Sequence, residues 1–392
     1  MLTAAGLPPL GAEDARHSER VADFLRARIA ATGGWLPFSR FMESALYEPG
    51  LGYYAAGRRP FAARADFVTA PELSPLYARC LATQLAEILG RIGGGRLLEF
   101  GAGSGRLAAE LLDSLAARGA LPERYGIVEG SAALRAEQRE RLARSEHGER
   151  VEWLERPPPE AWQGVVIANE FVDALPVERF RVNADGCEAL GVVTRGAGFA
   201  WRPGPAPADL VAAVAALSAR LPRPLPPAYV SELNLRAPAW VAEAAAGMRR
   251  GAILVCDYGL PRAQYYHPAR DGGTLAAFHR HRRLEDALLR PGLVDLTAWV
   301  DFSAIAEAGI AAGLELAGFA TQAHFLAATG IDQELAALGA AAPEPERFAL
   351  AAAVQTLMLP GEMGERFKIL ALARGFAGPL AGFSFRDLAA SL

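Results

Sequence analysis

The chain predicts an α/β fold in which helices cover both faces of a mostly parallel sheet. Three observations predict it. Apolar runs at 95–100, 124–129, 150–154, 164–169 and 251–257 read as strands, and helix-like segments separate most of them. Acids close or follow several of these runs, at the carboxyl edge where open α/β sheets bind their ligands. Between the first run and the helix-like Leu107-Ala-Ala-Glu-Leu-Leu-Asp-Ser-Leu115 lies Glu99-Phe-Gly-Ala-Gly-Ser-Gly105. A strand, a glycine turn and a helix in that order suit a small-molecule cofactor. Glycines let the backbone approach the ligand, and the helix start offers free N–H groups.

In chain order, residues 13–45 read as two helices separated by Gly33-Gly34, followed by the turn-rich aromatic tract Tyr47-Glu-Pro-Gly-Leu-Gly-Tyr-Tyr54. Ala70-Pro-Glu-Leu-Ser-Pro75 reads as a loop that opens a helix running to about Leu89. Proline and an acid near a helix start fit its amino end. The core strands follow. The interval between 164–169 and 251–257 is far longer than a simple crossover needs. It holds strand-like runs near 178–203, the tracts Pro203-Gly-Pro-Ala-Pro207 and Pro222-Arg-Pro-Leu-Pro-Pro227, and two alanine-rich helices, so it is expected to be an insertion over the sheet's carboxyl edge. The irregular stretch from Pro261 to Asp301 is long enough to suggest function. Strands at 314–321 and 366–374 and helices at 302–312, 331–339 and 345–357 complete the chain. The expected division is an N-terminal helical extension (1–90), a core (91–176 and 251–392) and an inserted lid subdomain (177–250).

Bulk properties bound the class. A hydrophobic fraction of 52% over 392 residues supports a sizeable core, and a net charge of −4 gives no global sign of nucleic-acid binding. Of 40 basic residues only Lys368 is lysine, which reads as coding bias, so arginine clusters carry little weight. Cys80, Cys187 and Cys256 lie far apart with no C-x-x-C pair. Neither a signal peptide nor an apolar run of about 18 residues is apparent, and a soluble cytoplasmic protein is expected, with no membrane insertion.

The glycine turn does not match the dinucleotide fingerprint G-x-G-x-x-G/A. Its glycines are Gly101, Gly103 and Gly105, and the third fingerprint position holds Arg106. Glu99 would repel a pyrophosphate but suits S-adenosylmethionine, which carries an ammonium and a sulfonium. Glu99, Gly101, Ala102, Gly103 and Gly105 are therefore assigned to that cofactor. Glu129 ends the next strand, Tyr125-Gly-Ile-Val-Glu129, where a carboxylate can accept from both ribose hydroxyls. Each such bond contributes roughly 1.5–3 kcal/mol when buried. The plainer alternative for Glu129 is a solvated strand-end acid.

Val165-Val-Ile-Ala-Asn-Glu-Phe-Val-Asp-Ala-Leu-Pro176 delivers Asn169, Glu170 and Asp173 at a strand's carboxyl end; the alternative is that Asn169 and Asp173 cap a helix. Asp257-Tyr258 repeats the pattern, with a turn aspartate before Gly259 as its alternative. Asn169 is assigned to the cofactor; Glu170 and Asp173, with Asp257 in reserve, are assigned to catalysis. His267, His279 and His281 lack a metal-ligand spacing, so no metal is expected. Ser104 lies in G-A-G-S-G, not in the strand–turn register of a hydrolase nucleophile.

Taken together, these residues resemble the MidA-like class I methyltransferases, relatives of the mitochondrial complex I assembly arginine methyltransferase. The resemblance runs through Phe41-Met-Glu-Ser-Ala-Leu-Tyr-Glu-Pro49, Gly52-Tyr-Tyr54, Asp66-Phe-Val-Thr-Ala-Pro-Glu-Leu-Ser-Pro75, Glu99 to Gly105, and Ala168-Asn-Glu-Phe-Val-Asp-Ala-Leu-Pro176. It continues in Gly273-Thr-Leu275, Pro291-Gly-Leu-Val-Asp-Leu-Thr297, Val300-Asp-Phe302 and Met363-Gly-Glu-Arg-Phe-Lys368. It implies a Rossmann-like seven-stranded sheet whose last strand, antiparallel, is 366–374. It implies S-adenosyl-L-methionine as methyl donor and a protein side chain, arginine being the first candidate, as acceptor. Glu72, Tyr258, Thr274 and Asp295 become the expected substrate-binding residues, and the tract Tyr47–Pro75 and the insertion are expected to close over the site. Two other readings stay open: a non-catalytic cofactor-binding assembly factor, and a nicotinamide-dependent oxidoreductase, which Arg106 and Glu99 disfavour. The oligomeric state is open, a dimer being one reading.

Overall fold

The computed structural model describes residues 7–57, 69–184, 186–280 and 282–392. Residues 66–68 of the Asp66–Pro75 string, and His281, lie outside the described residues. The chain divides into two compact units. One comprises Met1–Phe67, Asp173–Ala237 and Arg262–Trp299; the other comprises Val68–Val172, Pro238–Pro261 and Val300–Leu392.

The first unit is built on an antiparallel sheet of β1 (Leu36–Pro37), β6 (Glu178–Asn183), β7 (Gly186–Arg195), β8 (Gly198–Gly204) and β9 (Val230–Leu233), ordered β1-β7-β6-β9 with β8 also on β7. A second sheet orders β12 (Arg282–Arg283), β11 (Ala276–His279) and β13 (Asp295–Thr297). Its helices are α1 (Ala12–Ala31), α2 (Phe38–Tyr47), α7 (Ala208–Arg220) and α9 (Arg262–Tyr265). The spacing of Phe38, Phe41, Met42 and Ala45 puts one apolar stripe on α2, and all four are buried. Phe38 packs on Trp201 of β8 with ring centroids 4.8 Å apart, and Phe41 on Phe199 at 5.4 Å. The insertion expected at 177–250 is thus not a separate lid module. Most of it shares a sheet and a core with the N-terminal segment, because β1 supplies the edge partner that β7 lacks within the insertion.

The second unit carries an eight-stranded sheet. Its strands are β2 (Arg96–Phe100), β3 (Tyr125–Val128), β4 (Val151–Leu154), β5 (Trp162–Asn169), β10 (Met248–Leu260), β14 (Val300–Asp301), β15 (Glu315–Thr321) and β16 (Phe367–Arg374). Seven run in the order β15-β16-β10-β5-β2-β3-β4. The eighth, β14, corrects the expected count of seven: β10 continues past 257 to Leu260, and Gly259 and Leu260 pair in parallel with Val300 and Asp301. As expected, β16 is antiparallel, to both β10 and β15. Val165, Val166, Ile167 and Ala168 of β5 are all buried, the unbroken apolar run of a strand covered on both faces.

Its helices are α3 (Ala70–Leu73), α4 (Pro75–Ile92), α5 (Arg106–Ala117), α6 (Ala132–Leu142), α8 (Ala237–Ala244, from the boundary), α10 (Phe302–Ala311), α11 (Gln322–Ala328), α12 (Ile331–Ala341), α13 (Glu344–Met358) and α14 (Met363–Arg366). The Ala70–Leu73 stretch, expected as loop, is a single helical turn. Ser74 then caps α4 by accepting the Leu76 N–H at 3.1 Å, with Pro75 in the first turn.

Candidate active site

The carboxyl ends of β2, β3, β5 and β10 carry most of the expected residues. At the end of β2, Glu99 is 2% exposed and accepts a 2.8 Å hydrogen bond from Tyr125 Oη. Burial raises its pKa to about 7, against the Tyr125 bond, which lowers it; the nearby Glu129 charge adds to the rise. Beyond Glu99, Gly101 adopts φ +67°, and a Cβ there would lie 2.8 Å from the Phe171 ring. That conformation and that closeness leave room only for glycine.

Glu129, beyond the end of β3, is buried. One carboxylate oxygen accepts from Ser131 N at 2.9 Å, the other from Gln138 Nε2 at 3.2 Å. Burial raises its pKa, and these two bonds oppose the rise. Gln138 Nε2 also donates to Gly103 O at 3.0 Å, while Gln138 Oε1 accepts from Trp153 Nε1 at 3.0 Å. An indole nitrogen can only donate, so the amide oxygen must face it, and the amide NH₂ must face Glu129 and the glycine turn. The ribose-side acid and the turn are therefore held by one side chain. Glu72, expected at the substrate, is instead tied to the turn: Ser104 Oγ donates to its Oε1, and Arg106 Nη1 donates to its backbone oxygen at 2.9 Å.

Asn169 ends β5, and its Oδ1 accepts from Tyr77 Oη at 2.6 Å. Glu170 follows in the left-handed region at φ +50°, unusual for a side-chain-bearing residue. Its Oε1 accepts from Ala70 N at 3.3 Å and Asn169 Nδ2 at 3.4 Å. No helix follows Asn169, so the helix-cap alternative for Asn169 and Asp173 falls away. Asp257 is fully buried within β10, not in a turn. It accepts from Val172 N at 3.0 Å and Tyr258 N at 2.9 Å, so it pins the segment that carries Glu170. Tyr258 packs edge-on against Phe367, with centroids 5.4 Å apart.

Three expected residues belong to the other unit. Asp173 accepts from Thr297 Oγ1 at 2.6 Å, Asp295 accepts from Tyr54 Oη at 2.8 Å, and Thr274 N donates to the buried Glu232 at 2.7 Å. Among the described residues, no group of three or more His, Cys, Asp and Glu side chains could hold a metal ion.

A family model for an S-adenosyl-L-methionine-dependent methyltransferase matches residues 80–320. The chain belongs to this family. A COG1565 superfamily member from Burkholderia thailandensis, crystallised with S-adenosyl-homocysteine, is 43% identical, with a TM-score of 0.90 over 98% of this chain and 100% of that one. A native crystal structure of a COG1565 protein from the same organism gives 42% and 0.88. Among curated relatives, the protein arginine methyltransferase NDUFAF7 homolog, mitochondrial, of Drosophila melanogaster is 29% identical over 93% of this chain and 88% of its own. The human protein arginine methyltransferase NDUFAF7 is 27% identical over 92% and 88%.

The enzyme's cofactor is S-adenosyl-L-methionine, and the residues fit it. Gly101 allows close backbone approach, two buried acids flank the turn, and α5 begins directly after it. Sequence reasoning missed Tyr125, which could have been found: Leu97 pairs with Tyr125, and Glu99 lies two residues on, the same face of the neighbouring strand. Gln138 carried no signal, being one polar residue on a polar helix. Gly101→Val is expected to lower stability by about 1–3 kcal/mol and to abolish cofactor binding. A thermal melt and a calorimetric titration check this; wild-type affinity would show that the turn does not approach the cofactor.

Proposed function

We propose that this methyltransferase acts on a protein, with arginine as the methyl acceptor, and that Glu170 holds the guanidinium. The observation that carries the reading is Glu170 itself: a carboxylate at the carboxyl end of β5, kept in a left-handed backbone conformation and oriented by Ala70 and Asn169. Strain of that kind persists only where the surroundings enforce it. The names of the curated relatives, protein arginine methyltransferases in mitochondria, support the acceptor class.

The bound cofactor supplies an electrophilic methyl group. In this reading Glu99 would meet its ammonium and Glu129 its ribose hydroxyls, and Gln138 would keep Glu129 in place beside the turn. Glu170 would bind the guanidinium and draw its charge toward the bound nitrogens; the remaining nitrogen would take the methyl group as nucleophile and release one proton, with S-adenosyl-homocysteine as the other product. Asp257 positions this segment through Val172. Holding an acceptor at attack distance in such a frame can supply roughly 7–11 kcal/mol of barrier lowering in ideal cases. Tyr258, which lies in the same unit as Glu170, remains a candidate for contact with the rest of the acceptor. The free cysteines Cys80, Cys187 and Cys256 fit a reducing compartment, and a cytoplasmic location is part of the proposal.

The test is transfer of a labelled methyl group to lysate proteins, followed by mapping of the modified residue. Label on arginine supports the reading; label only on another residue type overturns it. Cofactor binding with no transfer to any protein favours an assembly factor instead. Glu170→Gln keeps shape and removes charge. It is expected to slow transfer roughly tenfold to a hundredfold, the worth of a charge-assisted pair, without changing cofactor affinity. Unchanged turnover would remove Glu170 from the mechanism.

A further inference from the structure

Glu170 takes its aim from one short stretch of chain. Ala70 N donates to it directly at 3.3 Å, and Tyr77, in the first turn of α4, reaches it through Asn169. All four residues, and β10 beside them, belong to one compact unit. The order of donors along this path is forced. An ionised carboxylate can only accept, so Asn169 turns its Nδ2 to Glu170 Oε1, at 3.4 Å. Its Oδ1 then faces Tyr77 Oη at 2.6 Å, and the phenol is the donor. Tyr77 has the proton to give: it is buried, and burial holds its pKa well above the usual tyrosine value. Cys256 is the register partner of Asn169 on β10, and its thiol lies beside the Tyr77 hydroxyl. Burial raises that thiol's pKa to about 12, so it keeps its proton and puts no second charge near the path.

Both ends of the path are anchored. Ser74 caps α4 through Leu76 N, Pro71 and Pro75 restrict the backbone on either side, and Ser104 Oγ donates to Glu72 between them. At the far end Glu170 sits at φ +50°, and Asp257 accepts from Val172 N at 3.0 Å. Within that frame the Asn169 amide is the adjustable member. The Tyr77 hydroxyl holds its oxygen, and its NH₂ is thereby kept on Glu170. Without the hydroxyl, Oδ1 loses this donor, and the amide gives up its hold on the carboxylate to find another.

We propose that Tyr77 is a positioning residue for methyl transfer, holding the Glu170 carboxylate in place through the Asn169 amide; the proposal rests on the reading of Glu170 given above. Tyr77 itself touches neither acceptor nor cofactor. Its hydroxyl keeps one N–H donated to Glu170, and a donated N–H favours the charged form of a carboxylate, the form that binds a guanidinium. Ala70 N, in the same stretch, fixes the same oxygen from a second direction. The carboxylate is thus preorganised before the acceptor arrives.

The experiment measures initial rates of labelled-methyl transfer from saturating S-adenosyl-L-methionine to lysate proteins, for the full chain, Tyr77→Phe, Glu170→Gln and the double variant. Tyr77→Phe keeps the ring that fills the site and is expected to slow transfer roughly fivefold to tenfold, the worth of one hydrogen bond. In the Glu170→Gln background the same substitution is expected to change the rate by less than about twofold, because no carboxylate is left to hold. A merely structural loss would multiply the two effects, and full multiplication overturns the proposal. Calorimetry with S-adenosyl-homocysteine should give wild-type affinity in Tyr77→Phe; weakened binding overturns the proposal too, because Asn169 would then serve the cofactor. Asn169→Ala breaks the path at its middle, is expected to match Tyr77→Phe in rate, and carries the same cycle if Tyr77→Phe does not fold. A wild-type rate in Asn169→Ala overturns the proposal. If the wild type transfers nothing, or Glu170→Gln transfers at the wild-type rate, the reading of Glu170 fails and this inference with it. If Glu170→Gln is slow and Tyr77→Phe is not, this inference alone fails.

Discussion

Glu99→Gln is expected to make the cofactor-free enzyme more stable at pH 8 while weakening its hold on S-adenosyl-L-methionine. Burial raises the Glu99 pKa from 4.5 to about 7 in the folded chain. Below pH 4.5 the carboxyl is protonated folded or unfolded and costs nothing. Between 4.5 and 7 the unfolded chain ionises while the folded chain keeps its proton, so the folded state loses ground. Above 7 the loss is complete at about 3 kcal/mol. Glutamine keeps an oxygen for Tyr125 Oη, the 2.8 Å partner, and carries no charge to bury. Chemical denaturation of both proteins without cofactor should show a gap at pH 8 that closes toward pH 5; a gap of the same size at both would sink the account. Affinity should move the other way. A ligand ammonium needs the ionised carboxylate, so wild-type binding should weaken as pH falls from 7 to 5. The variant should bind roughly tenfold to a hundredfold more weakly at pH 8 and lose that pH dependence.

Gln138→Leu is expected to lower stability by about 2–4 kcal/mol and to erase discrimination at the ribose. Leucine fills much the same space. However, it strips partners from Trp153 Nε1, Gly103 O and one Glu129 oxygen around a side chain that is itself fully buried. Each buried group left unpaired costs about 1–3 kcal/mol. With its Gln138 bond gone, Glu129 keeps the Ser131 N–H but no longer shares a partner with the glycine turn. S-adenosyl-homocysteine and its 2′-deoxy analogue, titrated by calorimetry, separate positioning from mere support. A structural loss weakens both ligands alike; a positioning loss narrows the ratio between them. A destabilised variant with an unchanged ratio would reduce Gln138 to a core residue.

The regular elements were legible because each depends on a local pattern. The runs at 95–100, 164–169 and 366–374 appear as β2, β5 and β16 within a few residues, and the helix expected to run to about Leu89 appears as α4, which starts at Pro75 and ends at Ile92. What failed to read depended on partners distant in the chain. The strand β14 exists only because β10 overruns its expected end. The 177–250 insertion looked self-contained because nothing in its own residues tells that Leu36 and Pro37 close its sheet. Asp257 looked like a catalytic acid held in reserve, yet its oxygens serve Val172 and Tyr258. Glu72 looked like a substrate residue, yet Ser104 and Arg106 bind it.

The sequence by itself determined the cofactor cradle. A strand that ends in Glu99, glycines that permit positive φ, and a helix that starts at once are contiguous, and contiguous geometry is dictated by local sterics. Only the tertiary structure decided what each acid can do there. Tyr125 beside Glu99, Gln138 and Trp153 behind Glu129, and Ala70 against Glu170 are meetings across the fold. The charge state and aim of a buried carboxylate follow from desolvation and from such partners, and packing alone supplies both.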